Sequence, residues 1–128
     1  MELRLYQIDA FTDKVFKGNP AAVCPLERWL TDADLQAVAE ENNLSETAFV
    51  VLTGDDNPIR WFTPTVEVDL CGHATLAAAH VIFNHLKFSG NTVSFSSKSG
   101  PLHVRQDGKI LYLDFPADSI TVAERLNR

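Results

Sequence analysis

The sequence predicts an α+β fold in which a curved, mainly antiparallel sheet wraps around a central buried helix. Segments with strand character outnumber helices and follow the order β-β-α-β-β-α-β-β-β, which fits a largely antiparallel sheet better than a βαβ array. The second helix, expected from about His73 to Leu86, is apolar around almost its whole circumference, as in a helix buried on all sides. A sheet that surrounds such a helix has to curl around it.

The composition of this second helix supports the wrapped arrangement. At about 100° per residue, its apolar positions leave almost no polar side. The alternative is an ordinary amphipathic helix with a broad apolar face. The small residues among these positions would let a sheet approach closely. The apolar positions are Ala74, Leu76, Ala77, Ala78, Ala79, Val81, Ile82, Phe83 and Leu86.

The first third of the chain predicts two strands and a helix. Apolar residues follow an imperfect period of two over Leu3–Phe11, which indicates a strand, and Ala21–Pro25 is a short apolar strand. Thr31 opens the sequence TDAD, which is typical of a helix start. That helix should end near Asn42-Asn43, because asparagine side chains compete for backbone hydrogen bonds.

The middle of the chain predicts strands on both sides of a turn. The strand from about Thr47 to Leu52 should close at the turn-forming residues Gly54 to Pro58. Strand character continues over Ile59–Thr65 and Val66–Leu70, with Pro64 at a break or an edge.

After the central helix the sequence predicts a strand and a hairpin. Val93–Ser97 has strand character, and Leu102–Arg105 and Ile110–Phe115 flank Asp107-Gly108. Asp-Gly is a strong hairpin signal, because glycine adopts the positive φ that a tight turn needs. Beyond Pro116 the sequence shows no clear pairing partner for the tail.

Composition excludes several classes of function. A chain of 128 residues fits one domain, and 45% apolar residues suffice for a core. The net charge of −6 argues against nucleic acid or an anionic membrane as a partner, because those partners select clustered Lys and Arg. No secretory signal is recognisable, and the longest apolar run falls short of the about 20 residues of a membrane span. Two cysteines do not make a disulfide scaffold. We therefore expect a cytoplasmic protein with reduced thiols.

The start of the central helix is a candidate anion site. Its first turn, from Cys71 to Ala74, has no Ser, Thr, Asn or Asp at the cap position, and Gly72 leaves the backbone open to approach. Alternatively, Asp69 folds back as the cap and Gly72 only eases a tight turn. His73 could donate a hydrogen bond to a substrate oxygen or could simply be packed against the backbone. Its seven-residue spacing to His80 is not that of a zinc site, so no metal is expected.

Two further side chains could act as acid or base. Glu46 precedes the apolar run Ala48–Leu52, so its carboxyl group could lie at the mouth of an apolar pocket and move protons. A glutamate at a strand start is more often solvated surface. Cys71 could act as a thiolate base beside the helix terminus, or could be a small buried apolar residue.

Several motifs in this order and spacing resemble one family. GNPAAV (Gly18–Val23), NLSETAFV (Asn43–Val50) and RWFTPTVEVDLCGHATLAAAHV (Arg60–Val81), with the opening YQIDAF, resemble the N-terminal lobe of PhzF-like phenazine-biosynthesis proteins. The resemblance implies a fold similar to diaminopimelate epimerase, in which two pseudo-symmetric lobes each wrap a curved sheet around a helix. We assign residues 1–116 to a single lobe and residues 117–128 to a tail or crossover toward a second lobe.

The same resemblance implies a reaction and a set of site residues. In the characterised phenazine enzyme, the family glutamate moves a proton between carbons of a dihydro-hydroxyanthranilate ring, without a metal or an organic cofactor. Glu46 matches that glutamate, and Gly72 and His73 match the pair that holds the substrate. Asn19 matches the Asn of GNP at the cleft. The N–H groups up to Ala74 would bind the carboxylate of a small substrate.

The resemblance covers one lobe of an active site that lies between two. The leading hypothesis is an isomerase lobe that needs a complementary second lobe or a homodimer. A second hypothesis is a cysteine-type racemase or epimerase with Cys71 as its base. The third is a catalytically silent module for binding or dimerisation.

Overall fold

The computed structural model describes residues 3–8, 20–86, 88–108, 110–114 and 121–125, the last of these by their backbone alone. Two helices and nine strands lie within these ranges. In chain order they are β1 Tyr6–Ile8, β2 Ala21–Leu26, α1 Asp32–Asn42, β3 Glu46–Val51, β4 Asp56–Phe62, β5 Glu67–Val68, α2 Gly72–His85, β6 Thr92–Ser97, β7 Gly100–Asp107, β8 Ile110–Asp114 and β9 Thr121–Arg125.

The described strands form one mixed sheet with the order β1-β2-β3-β4-β6-β7-β8-β9, and β5 pairs with β4. Most neighbours are antiparallel, whereas β2 with β3 and β4 with β6 are parallel. Helix α2 contacts β2 and β3 near one end of this order and β8 near the other. One helix can touch both only if the sheet curls around it. The predicted α+β fold with a wrapped sheet is confirmed.

Helix α2 is the core of the molecule. Every residue from Ala74 to Phe83 is buried, so all sides of the helix are covered. Two of these residues are polar and have partners: Thr75 Oγ1 donates to the carbonyl of Cys71 at 2.7 Å, and Asn84 Nδ2 lies 2.9 Å from Nδ1 of His80. The wrapped helix is therefore correct, and the ordinary amphipathic helix is not.

Helix α1 lies on the outer face of the sheet and contacts β3 and β4. Thr31 caps it as predicted, since its Oγ1 accepts a hydrogen bond from the N–H of Asp34 at 3.1 Å. The helix ends at Asn42, and Asn43 follows in the left-handed conformation with φ of 53°. Leu35 and Ala39 bury this helix against a second, smaller core on that face.

Three sequence predictions need correction. The turn expected through Pro58 is shorter, because β4 already begins at Asp56. The reason is Asn57, whose side chain accepts from the N–H groups of Thr53 and Gly54 and donates to the carbonyl of Ser94. One side chain thus completes the turn and joins β4 to β6.

The prediction of an unpaired tail is wrong for Thr121–Arg125, which pairs with β8 as β9. The sequence contains no turn signal that would have predicted this pairing with β8. Leu3–Leu5 also lie before β1, so the first strand is shorter at its start than predicted; residues 9–11 lie outside the described residues.

Candidate active site

Glu46 is the first residue of β3, and the strand's alternation decides which way it points. Ala48 and Val50 contribute to the core around α2, whereas Phe49 and Val51 belong to the core beneath α1. Glu46 has the same parity as Ala48 and Val50, so its side chain lies on the α2 side of the sheet. The glutamate is half-buried, which places it at the rim of the core and not within it.

The register of β2 and β3 brings two predicted site segments to one edge of the sheet. These strands are parallel, and Ala21 pairs with Glu46 at their beginnings. Pro20, the last residue of the GNP motif, therefore enters the sheet beside the glutamate. Asn19 lies outside the described residues, so its predicted part in substrate binding stays a prediction.

Helix α2 begins at the same edge. Its N-cap is Cys71, whose backbone is extended and whose side chain makes no capping hydrogen bond of full geometry. The carbonyl of Cys71 accepts from the N–H of Thr75 at 3.0 Å and from Thr75 Oγ1 at 2.7 Å. Thr75 is fully buried, so this doubled contact fixes the peptide that precedes Gly72.

The thiol of Cys71 meets the carboxyl group of Glu46. The pKa of this thiol is raised to about 11, chiefly by burial and to a smaller extent by the nearby carboxylate of Glu46. The backbone N–H groups of Ala74 and His73 act on the sulfur in the opposite direction and lower that pKa. The sulfur thus lies between a carboxylate and the positive end of a helix.

The structure brings most of the predicted site residues together. Gly72, His73 and Ala74 form the first turn of α2, next to Cys71 and hence to Glu46. His73 is half-buried and has an interaction of its own, whereas the side chain of Ala74 is fully buried and can contribute only its backbone. The predicted roles of these three residues in substrate binding stay predictions.

A charged network outside the core holds the segment that leads into α2. Arg60 forms a two-pronged contact with Glu67, with Nε–Oε2 at 2.7 Å and Nη2–Oε1 at 2.8 Å. This contact ties β5 to β4, four residues before Cys71. Ser99 Oγ donates to the carbonyl of Asp69 at 2.9 Å and so holds the same segment against the turn between β6 and β7.

The network also shifts the acid–base properties of its members. The Arg60 guanidinium keeps the pKa of Glu67 below its usual range, chiefly through its hydrogen bonds. In turn Glu67, with a smaller contribution from Asp32, raises the pKa of Arg60. The Arg60 guanidinium also lies 5.4 Å from the ring centres of Trp29 and Phe62, where ring electrons favour a cation.

Sequence reasoning missed two features of this site. It treated Cys71 and Glu46 as alternative bases, whereas their side chains interact. It also gave no role to Thr75, although a threonine in the first turn of a helix commonly bonds back to the carbonyl four residues earlier. The four-residue spacing between Cys71 and Thr75 could therefore have predicted the role of Thr75. No signal in the sequence predicts that Glu46 lies near Cys71, 25 residues further along the chain.

The described residues also line a cavity at the opposite edge of the sheet from Glu46. A cavity of about 640 Å³ is lined by Pro25, Leu26 and Leu52, at the far ends of β2 and β3 from Glu46.

None of the helices in the described ranges is long and apolar enough to cross a bilayer. Within these ranges there is also no group of three or more His, Cys, Asp or Glu side chains that could hold a metal ion.

A sheet curled around a buried helix, with a carboxyl group at the start of that helix, is the architecture of an epimerase-like lobe. The chain belongs to the family of phenazine biosynthesis-like proteins, since the PhzC-PhzF family model matches residues 8–117. The family and the lobe inferred from the SETAF and CGHATLA motifs are confirmed.

Curated relatives carry isomerase and phenazine-type names. An uncharacterized isomerase from Pseudomonas aeruginosa is 60% identical over 117 residues, covering 91% of this chain and 45% of the relative. A phenazine biosynthesis-like domain-containing protein from Homo sapiens is 47% identical over 124 residues, covering 91% of this chain and 43% of the relative. The chain thus spans somewhat less than half the length of these relatives.

Solved structures agree with this assignment. A phenazine biosynthesis protein of the PhzF family from Enterococcus faecalis superimposes with a TM-score of 0.85 at 54% identity, covering 92% of this chain and 45% of that one. A predicted epimerase from Pseudomonas aeruginosa gives a TM-score of 0.71 at 27% identity, covering 88% of this chain and 43% of that one. The fold is therefore that of one half of these longer chains.

Proposed function

We propose that this chain is an isomerase lobe that transfers a proton on a small carboxylate-bearing substrate, with Glu46 as the acid and base. The observation that carries the proposal is the position of Glu46 at the start of β3, on the α2 side of the sheet, where its charge acts on Cys71, the N-cap residue of that helix. A proton acceptor and an anion-attracting helix end therefore lie within one side chain's length of each other.

The proposed reaction has two steps and one acid–base group. Glu46 takes a proton from an acidified carbon of the substrate, and the electron pair of the broken C–H bond passes into the conjugated system. The resulting carboxylic acid then returns the proton to another carbon of that system. One group can perform both steps if the intermediate does not turn between them. The mechanism needs neither a metal nor an organic cofactor.

The first turn of α2 would hold the substrate still during these steps. The N–H groups at the start of a helix attract a carboxylate, and Gly72 gives the substrate access to the backbone. The side chain of His73 would donate a hydrogen bond to the oxygen on which negative charge collects. Asn19 completes the proposed set of substrate contacts.

A second surface is part of the proposal. The relatives are more than twice as long as this chain, and Glu46 lies at the half-open rim of the sheet. A complementary second lobe or a homodimer would close that rim and exclude water from the carboxyl group. A cytoplasmic location, suggested by the charge and the reduced thiols, belongs to the same proposal.

Cys71 is a poor candidate for the base of a racemase. A thiol whose pKa is raised to about 11 is ionised in about one molecule in 10,000 at pH 7. Two-base inversion also needs a second thiol, and Cys24 lies in the core beneath α1, on the other side of the sheet. These observations favour Glu46 over Cys71.

The first prediction tests the role of Glu46. In D2O, with dihydro-hydroxyanthranilate as the probe, Glu46→Gln should reduce deuterium incorporation about 100-fold or more, because an amide cannot accept the proton. Mass spectrometry of the probe measures this incorporation. The matched control is Glu40→Gln, an exposed residue of α1, which should exchange like the wild type. Exchange that persists in Glu46→Gln would refute the proposal.

A further inference from the structure

The turn between β6 and β7 reaches across to the segment that leads into α2. Its two tip residues are Lys98 and Ser99. Ser99 Oγ donates a hydrogen bond of 2.9 Å to the carbonyl of Asp69, which lies 30 residues earlier in the chain. Lys98 Nζ lies 3.5 Å from Oε1 of Glu67, an exposed contact that adds little stability. Both tip residues therefore contact the same short stretch of chain before the helix.

This turn is closed by hydrogen bonds of its own. Ser97 Oγ accepts from the N–H of Ser99 at 3.1 Å and donates to the carbonyl of Gly100 at 2.8 Å. Gly100 has a φ of 108°, which residues with a side chain rarely adopt, so the tight turn depends on glycine at this position. Ser97 and Gly100 also pair directly in the sheet. The hydroxyl group of Ser99 is thus presented by a turn with defined geometry.

The segment that leads into α2 is held at every second residue. Glu67 at its start binds Arg60 through two hydrogen bonds of 2.7 and 2.8 Å. The carbonyl of Cys71 at its end accepts two hydrogen bonds from Thr75. The hydrogen bond from Ser99 holds the peptide midway between these two points. Loss of the Ser99 hydroxyl group would therefore loosen the middle of the segment while both of its ends stay bound.

We propose that Ser99 is a positioning residue for the turn of α2 that holds the substrate. This inference rests on the proposed function, in which the first turn of α2 binds the substrate carboxylate. Ser99 neither touches the substrate nor transfers a proton. Its hydroxyl group fixes the peptide of Asp69 and hence the direction in which the chain enters the helix. A segment that is already ordered loses less conformational freedom when the substrate binds.

Kinetics separate this role from that of the acid–base group. In deuterium exchange with dihydro-hydroxyanthranilate as the probe, Ser99→Ala should raise KM about 3- to 10-fold and leave kcat within about twofold of the wild type. The loosened segment has to become ordered in the bound state, which weakens the binding of the ground state and of the transition state alike. Glu46 belongs to β3 and keeps its place, so the proton-transfer step is unchanged.

A purely structural role would give the opposite pattern. A partly unfolded variant contains fewer active molecules, so its apparent kcat falls while the KM of the folded molecules stays the same. Ser99→Thr keeps the hydroxyl group at an exposed position and should restore KM to within about twofold of the wild type. Ser94→Ala is the matched control, because the Ser94 hydroxyl lies 2.9 Å from Nδ1 of His103 within the same hairpin. This control should keep the KM of the wild type.

NMR relaxation tests the positioning without a substrate. In Ser99→Ala, the backbone order parameters of residues 69–71 should fall from about 0.85, the value of rigid backbone, toward about 0.6. They should not change in Ser99→Thr or Ser94→Ala. Unchanged order parameters or an unchanged KM in Ser99→Ala would overturn the proposal. A wild-type chain without exchange would refute the proposed function, and the order parameters alone would then decide whether Ser99 orders the segment.

Discussion

Arg60 joins two carboxylates of very different exposure. The Glu67 side chain is 21% exposed and makes a two-pronged contact, whereas that of Asp32 is 81% exposed and makes a single contact at 3.0 Å. Water screens the exposed pair strongly, so most of the stabilisation comes from Glu67. The partly buried pair matters for the site because β5 leads into the turn before Cys71.

The second prediction follows from this pair. Glu67→Gln should lower the free energy of unfolding at pH 7 by about 1–3 kcal/mol, because it removes charged hydrogen bonds from a partly buried arginine. Asp32→Asn, the control, should cost about 1 kcal/mol or less. Urea denaturation at pH 7 measures both. Equal losses of unfolding free energy in the two variants would contradict the expectation that the less exposed Glu67 contributes more than Asp32.

The pH dependence of the same pair gives a third prediction. Since the pKa of Glu67 is lowered in the folded chain, its contribution is complete above the unfolded value of about 4.3 and is lost as pH falls through the lower folded value. The difference in unfolding free energy between wild type and Glu67→Gln should therefore shrink on acidification below pH 4. A difference that stays constant to pH 2 would contradict the assignment.

At the scale of elements, the packing of α2 decides whether the sheet can close. Ala77, Ala78 and Ala79 are all fully buried, and their small side chains let the strands approach the helix from several directions. Protein interiors are closely packed, so the space around these alanines has little room for additional methyl groups.

The fourth prediction tests this packing. Ala78→Val should destabilise the chain by about 1–3 kcal/mol, because two added methyl groups force the helix or the sheet to shift. Ala37→Val changes an exposed position of α1 and should cost about 0.5 kcal/mol from helix propensity alone. Thermal or urea unfolding of the two variants measures the difference. Similar losses would show that α2 is loosely packed.

At the scale of the whole molecule, local signals predicted the helices and most strands. The apolar circumference of α2 implied a sheet around it, and Thr31 marked the start of α1. Pairing between distant segments was harder, because no local signal indicates that β4 pairs in parallel with β6 or that Thr121–Arg125 joins β8. The contact between Glu46 and Cys71 has the same origin, since it depends on register and not on spacing.

The site was predicted only in part for a related reason. The sequence motifs singled out Glu46, Gly72 and His73 as candidates, whereas position alone would have left the glutamate as solvated surface. The fold adds the direction of the Glu46 side chain, which follows from the alternation of β3 and the start of α2 at the same edge. One carboxyl group and one helix terminus are thus the part of the proposed site that this chain supplies.

The most direct test of the account is a pair of NMR experiments on wild type and Glu46→Gln with dihydro-hydroxyanthranilate in D2O. We predict that the amide signals of residues 72–74 shift on addition of the probe to either protein, while only the wild type places deuterium on carbon. Deuterium incorporation by Glu46→Gln at the wild-type rate would contradict the account. Probe binding to the wild type without any incorporation, even at concentrations at which chains associate, would instead identify a silent binding module.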